Sequence, residues 1–206
     1  MEVMSQDAVK LTRRRLEDSL AVKRDMLESE CISQVAAVAT AMAGALRAGG
    51  KVLFFGNGGS ATDAGHLAGE LAGRFYYDRP GLAGLSLTDG IASLTAIAND
   101  YSYEDVFARQ VRALGRRGDV AVGLTTSGNS RNVVNALTAA REVGLFTVAL
   151  TGRSGGMVAS AADICIRVPT DDTPRVQEAC LHLGHTICEI VEREMFPRRD
   201  PPDRSG

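Results

Sequence analysis

No run of roughly 18 consecutive apolar residues occurs in the sequence, so no transmembrane helix is expected. The N-terminus carries Arg13, Arg14, Arg15, Glu17 and Asp18 and lacks the apolar core of a secretory signal, so none is expected there. Charge of one sign is also missing. The formal net charge is -2, which excludes a broad basic face for nucleic acid. Lysine is scarce, with Lys10, Lys23 and Lys51 alone among the 23 basic residues. No Gly-Lys-Ser/Thr triplet occurs, which disfavours a nucleoside triphosphate as ligand. The four cysteines, Cys31, Cys165, Cys180 and Cys188, contain no Cys-x-x-Cys pair. They read as small buried apolar residues in a reduced, cytoplasmic protein. No solenoid-type repeat is present.

The chain does have enough apolar residues, 45%, to build a core in a single domain of 206 residues. Residues 6–28 predict an amphipathic helix with Val9, Leu16, Leu20 and Leu27 on one face. A second helix is predicted over 33–47, with Val35, Val38, Met42, Ala45 and Leu46 on its stripe and Gly49-Gly50 ending it. Short apolar runs follow at 52–55, 82–87, 120–124, 146–150 and 164–168. They show no strict alternation, as expected of strands buried on both faces of a parallel sheet. Helical patterns lie between them at 60–73, 103–114 and 132–143, and a last helix is predicted over 175–195. The expected fold is α/β: a doubly wound five-stranded parallel sheet flanked by helices, with an N-terminal helical extension. The expected division is helices over 1–50 that pack in an oligomer, a ligand-binding domain over 51–196, and a disordered polar tail over 197–206.

In such sheets ligands bind beyond the carboxyl ends of the strands. Two loops in those places have unusual composition. Gly56-Asn57-Gly58-Gly59-Ser60 follows the first strand and formally fits Gly-x-Gly-x-x-Ala. The acidic residue that a dinucleotide site needs about 20 residues on is missing. The second loop, Thr125-Thr126-Ser127-Gly128-Asn129-Ser130, bears a hydroxyl or amide at every position but Gly128. Placed at a helix N-terminus, that set suits an anion, most simply a phosphate. A polar turn with a serine cap is the plainer reading. Among titratable groups, His66 and Glu70 share one helix face at spacing four, flanked by small or apolar residues. Gln177, Leu181 and His185 form a similar row on the last helix, while His182 reads as structural.

Lys51 to Ser60, His66-Leu-Ala-Gly-Glu70-Leu-Ala-Gly-Arg74, Asn99-Asp100, Thr126 to Ser130 and Arg175-Val-Gln177-Glu178 with His185 together resemble the phosphoheptose isomerases. These are sedoheptulose 7-phosphate isomerases built on a sugar-isomerase (SIS) domain. The resemblance runs from the N-terminal helix to about Met195. It implies a homotetramer whose active sites are shared between subunits, and a sugar phosphate substrate. It implies phosphate held by Thr125, Thr126, Ser127 and Ser130, with Ser60 and the Asn57-Gly58-Gly59 backbone nearby. Glu70 and His185 would be the proton-transfer pair. Arg74, Asn99, Asp100 and Gln177 would contact the sugar or order the site. Some relatives have an acidic residue three before the glutamine. Here that position is Pro174, with Asp171 and Asp172 as candidates to replace it.

The expected reaction is aldose–ketose isomerisation through an enediol, converting sedoheptulose 7-phosphate to D-glycero-D-manno-heptose 7-phosphate. Glu70 would act as carbon base and His185 as acid–base at the oxygens. His66, Glu70, Gln177 and His185 could also hold zinc, since imidazole and carboxylate suit that ion. Alternatively His66 orients Glu70 by a hydrogen bond. The rival readings are a non-catalytic tetrameric SIS protein that binds a protein partner, and a phosphosugar-sensing regulator. The complete set Glu70, Gln177 and His185 argues against the first, and the second usually carries a separate DNA-binding domain, which is not expected in this sequence.

Overall fold

Three of the five strands are buried along nearly their whole length, which is what the unalternating apolar runs require. The computed structural model describes residues 2–198, with side chains from residue 6 onward. The strands are β1 (Val52–Gly56), β2 (Gly84–Ser86), β3 (Val120–Thr125), β4 (Phe146–Thr151) and β5 (Ile164–Arg167). They form one parallel sheet in the order β2-β1-β3-β4-β5. The helices are α1 (Glu2–Leu27), α2 (Cys31–Arg47), α3 (Gly59–Ala72), α4 (Ile91–Asp100), α5 (Val106–Leu114), α6 (Arg131–Val143), α7 (Val158–Ala161) and α8 (Thr173–Met195).

Successive strand residues point to opposite faces, so the sheet feeds two cores. On one face Val52, Phe54, Val122 and Val148 pack with Val35, Val38 and Met42 of α2, Leu67 and Leu71 of α3, and Leu183 and Ile187 of α8. On the other, Leu53, Phe55, Ala121 and Ala149 pack with Val106, Phe107 and Val111 of α5 and Val133 and Leu137 of α6. That is the doubly wound arrangement. Helix α2 shares a core with the sheet, so residues 31–47 are packed into the body of the fold.

Several details differ from the sequence pattern. The run at 82–87 forms only a three-residue edge strand, with Leu85 exposed. The helix expected from Tyr103 opens as a 3-10 turn, Tyr103–Asp105, before α5. Helices α4 and α7 were not expected. Cys31, Cys180 and Cys188 are buried thiols, and burial pushes Cys180 and Cys188 up to about 12; Cys165 is only half-buried. The stripe of α1 faces away from the fold: Val9 is 63%, Leu16 63%, Leu20 54% and Leu27 66% exposed, while Val22 and Met26 are buried. Among the described residues no single helix is long and apolar enough to cross a membrane. Of the expected tail, residues 199–206 lie outside the described residues. Pro197 is exposed, and the Arg198 guanidinium lies 4.3 Å from the Tyr77 ring centroid.

At the amino end of the sheet, the buried Asp119 carboxylate accepts from Lys51 Nζ (2.6 Å) and from the backbone N–H groups of Lys51 (2.9 Å) and Arg116 (2.8 Å). Burial alone would raise its pKa; the Lys51 ammonium and the two N–H groups outweigh that and hold it below the usual carboxylate range. A carboxyl with a depressed native pKa stabilises the fold above its unfolded pKa, and the contribution is lost as the pH falls through the native value. Asp119→Ala is expected to cost about 3–5 kcal/mol at neutral pH, because it leaves a partly buried lysine unpaired. Urea denaturation at pH 7 checks this; a loss below about 1 kcal/mol would show that the pair is not a keystone.

Candidate active site

Strands β1 and β3 are neighbours, but β1 leads into α3 on one face and β3 into α6 on the other. Their carboxyl ends therefore splay apart and leave the crevice where ligands bind in open α/β sheets. Both loops end at helix N-termini without side-chain caps. Gly58 is the N-cap of α3, and Ser130 the N-cap of α6. The serine-cap reading fails at Ser130. Its hydroxyl bonds Thr125 Oγ1 at 3.0 Å instead of a helix N–H, leaving the first turn of α6 able to donate to an anion. Ser127 Oγ accepts from the Asn129 backbone N–H (3.2 Å), and Ser127 is exposed. Thr126 is half-buried and Ser60 buried.

Helices α3 and α8 supply the titratable groups. They approach closely at Gly184, where an added Cβ would lie 2.7 Å from Leu67 methyl carbons of α3. That approach places the next residue, His185, opposite His66. Their Nε2 atoms are 2.8 Å apart, and His66 Nε2 lies 3.3 Å from Glu70 Oε1. One donor atom from each of His66, Glu70 and His185 falls within 4.8 Å of the other two. Burial, then His66, push the His185 pKa below the usual histidine range against the pull of Glu70, which favours the neutral imidazole near pH 7. Two turns before His185 on α8, the Gln177 amide lies so close over Gly59 that a side chain there would have to displace it. Gln177, the two His and Glu70 thus lie along one seam between α3 and α8, with Gln177 at the end beside the loop from β1.

Three residues of this region were missed from sequence. Asp63 is buried on α3, and its Oδ2 has no hydrogen-bond partner. Burial raises its pKa, although the Gln177 amide and the two histidines pull the other way. Asn132, buried at the start of α6, exchanges two amide hydrogen bonds with Asn57 (2.8 and 2.9 Å). The Tyr103 hydroxyl donates to Asn57 Oδ1 at 2.9 Å. These bonds tie the two loops together. The spacing to Asp63 was visible, since it lies three before His66 on the same helix. The Asn57–Asn132 pairing spans 75 positions and left no local signal.

Not every expected site residue joins the cluster. Arg74 is exposed just beyond α3. Asn99 donates to Asp100 Oδ1 (2.9 Å) at the exposed end of α4, a helix that packs on α5 and the 3-10 turn rather than on α3 or α8. Pro174 occupies the first turn of α8, where its missing N–H costs nothing. Asp172 is the N-cap of that helix, and Asp171 and Asp172 are both exposed.

The chain thus carries an anion-ready loop at the start of α6 and a cluster of one carboxylate and two imidazoles between α3 and α8. Comparison with known proteins points the same way. Residues 17–152 match the SIS domain family. The chain is 48% identical to a phosphoheptose isomerase of Thermodesulfovibrio yellowstonii, over 89% of this chain and 91% of that one. It superposes on the phosphoheptose isomerase of Neisseria gonorrhoeae with a TM-score of 0.83 at 40% identity, covering 89% of this chain and 97% of the other. For the Francisella tularensis enzyme the TM-score is 0.87 at 34% identity, covering 90% and 98%. Its sequence, its sheet order and this alignment along almost the whole length make the chain a member of the phosphoheptose isomerase family of SIS-domain enzymes.

Proposed function

We propose that the protein interconverts sedoheptulose 7-phosphate and D-glycero-D-manno-heptose 7-phosphate. The observation that carries this reading is the His66–Glu70–His185 cluster, brought together by α3 and α8. The phosphate is held by the hydroxyls of Thr125, Thr126, Ser127 and Ser130 and the first turn of α6, with Ser60 and the Asn57-Gly58-Gly59 backbone on the other side. Phosphate binding fixes the far end of the sugar, and that orients C1 and C2 toward α3 and α8. Glu70 removes the C1 proton of the ketose and returns it to C2. His185 takes the O1 proton and delivers a proton to O2, so the enediol collapses to the aldose. Gln177 and Arg74 position the hydroxyls, and Asn99 and Asp100 reach the site from a neighbouring subunit. Incubation with sedoheptulose 7-phosphate, followed by separation of the heptose phosphates, tests the reading. Failure to form the aldose phosphate would reject it.

Ser127→Ala and Ser130→Ala are each expected to weaken substrate binding by about 1–3 kcal/mol, seen mainly in KM. A dephosphorylated heptulose is expected to react very poorly. Equal turnover with and without the phosphate would overturn the phosphate loop.

The donors of His66, Glu70 and His185 fit a divalent ion, with Gln177 on the same row of α8 as a further candidate ligand, and zinc is the ion we propose. When bound it would polarise the substrate carbonyl. About one zinc per subunit is expected in protein purified without chelator; less than about 0.1, with full activity in EDTA, would exclude it. The exposed stripe on α1 and the position of Asp100 support a homotetramer with shared sites. Free thiols with no disulfide among the described residues support a cytoplasmic enzyme.

A further inference from the structure

Outside the cleft, the most completely bonded polar group in the fold is an ion pair with no part in the chemistry described so far. Arg79, in the loop after α3, and Glu192, near the end of α8, are joined by an Nε–Oε1 bond of 3.0 Å, with side chains only 2% and 1% exposed. Glu192 also accepts from the backbone N–H of Phe75 (2.8 Å) and of Tyr76 (2.7 Å). Arg79 donates to the carbonyls of Glu70 (2.8 Å), Leu71 (2.7 Å), Gly73 (3.1 Å) and Pro80 (3.0 Å). The guanidinium therefore satisfies the orphan carbonyls at the end of α3 and places a positive charge on the negative end of that helix.

We propose that the Arg79–Glu192 pair is a positioning device for the isomerase: it locks the last turn of α3 and its following loop against α8, and so sets where Glu70 and His185 stand relative to each other. Two contacts carry the effect to the reacting groups. One is the Arg79 bond to the carbonyl of Glu70 itself. The other is Phe75, whose N–H is held by Glu192 and whose ring centroid lies 5.7 Å from that of His185. Glu192 follows His185 by seven residues, two turns along the same face of α8, so both side chains look toward α3. Stability alone does not account for such a pair. A buried ion pair is generally no better than apolar residues of the same volume, whereas its directional bonds fix geometry. Burial would raise the Glu192 pKa, yet the Tyr76 and Phe75 N–H groups and Arg79 hold it below the usual range, so the carboxylate stays charged and keeps these bonds at neutral pH.

The inference rests on Glu70 and His185 being the proton-moving groups. The test uses the full chain and measures kcat and KM for sedoheptulose 7-phosphate well below the melting temperature of each variant. Glu70→Gln serves as the reference. Glu192→Gln keeps the shape and removes half of the acceptors. Arg79→Met with Glu192→Leu replaces the pair by apolar side chains. The expected result is a fall in kcat of about 10²-fold in the folded pair variants, with KM within about threefold, because the phosphate loop on β3–α6 is untouched. A folded pair variant whose kcat stays within about threefold, or whose loss lies in KM alone, overturns the proposal. If neither pair variant folds, Phe75→Leu decides: a fall in kcat of about fivefold at unchanged KM supports it, and an unchanged kcat overturns it. An active Glu70→Gln would instead refute the assignment of Glu70, a failure that is read separately from that of the pair.

Discussion

Glu70→Gln is expected to lower kcat by about 10²–10⁴-fold while the fold and the mass in solution stay unchanged. The substitution keeps the size of the side chain and its place on α3. It removes the only carboxylate in the His66–Glu70–His185 cluster, the group able to take a proton from carbon. The amide keeps a polar oxygen where Glu70 Oε1 stands 3.3 Å from His66 Nε2, and the 2.8 Å contact of His66 with His185 is untouched, so His66 is expected to keep its place. Substrate binding should change little on the reading proposed above, in which the loop from β3 holds the phosphate. The checks are steady-state kinetics, far-UV circular dichroism and light scattering. Activity within a few-fold of the unaltered chain would mean that another group is the carbon base. Asp63 would then be the first alternative: it is buried, its Oδ2 is unpaired, and it lies one helical turn from His66.

How much of this was legible in the sequence depended on how local each cause is. Strands β1, β3 and β4 were plain because both of their faces are covered, so every position had to be apolar or small. The edge strand β2 is covered on fewer sides and could be shorter than its apolar run. Helix α4 was missed although Leu94, Ile97 and Ala98 recur at helical spacing. None of its residues is fully buried, and the Asp89-Gly90 pair before it reads as a turn. The stripe on α1 was read correctly as apolar, but the sequence could not say which of two apolar sets meets the fold. Val22 and Met26 do, and the larger set is left outward.

The chemistry was legible where a loop or helix face concentrates it. His66 with Glu70, and Gln177 with His185, stand at spacings that a helix turns into neighbours. Asn132, Arg79 and Glu192 were invisible for the opposite reason. Each stands among other polar residues that give it no distinction, and its partner is 75 or 113 positions away. An arginine after a helix and a glutamate within one read as solvated side chains until the fold closes over them.

The second large effect concerns the parts of the site that one subunit does not assemble. Asp100 and Asn99 sit at the exposed end of α4, bonded to each other and on a helix that does not pack against α3 or α8. If they serve the Glu70–His185 centre, they serve that of a neighbour, and the outward stripe of Val9, Leu16 and Leu20 on α1 provides an apolar face for holding subunits together. Asp100→Ala and Glu70→Gln are then each expected to be nearly inactive alone. Co-expressed in equal amounts, they are expected to recover about a quarter of full activity, because random closed assembly pairs an intact Glu70 with an intact neighbouring Asp100 in one site out of four. Separately purified proteins mixed without subunit exchange should recover nothing. Light scattering at micromolar concentration supplies the control, since a monomeric mass would remove the premise. Co-expressed variants that stay as inactive as each alone, in an oligomer of proven mixed composition, would place Asp100 and Glu70 in the same subunit's site and end the shared-site reading.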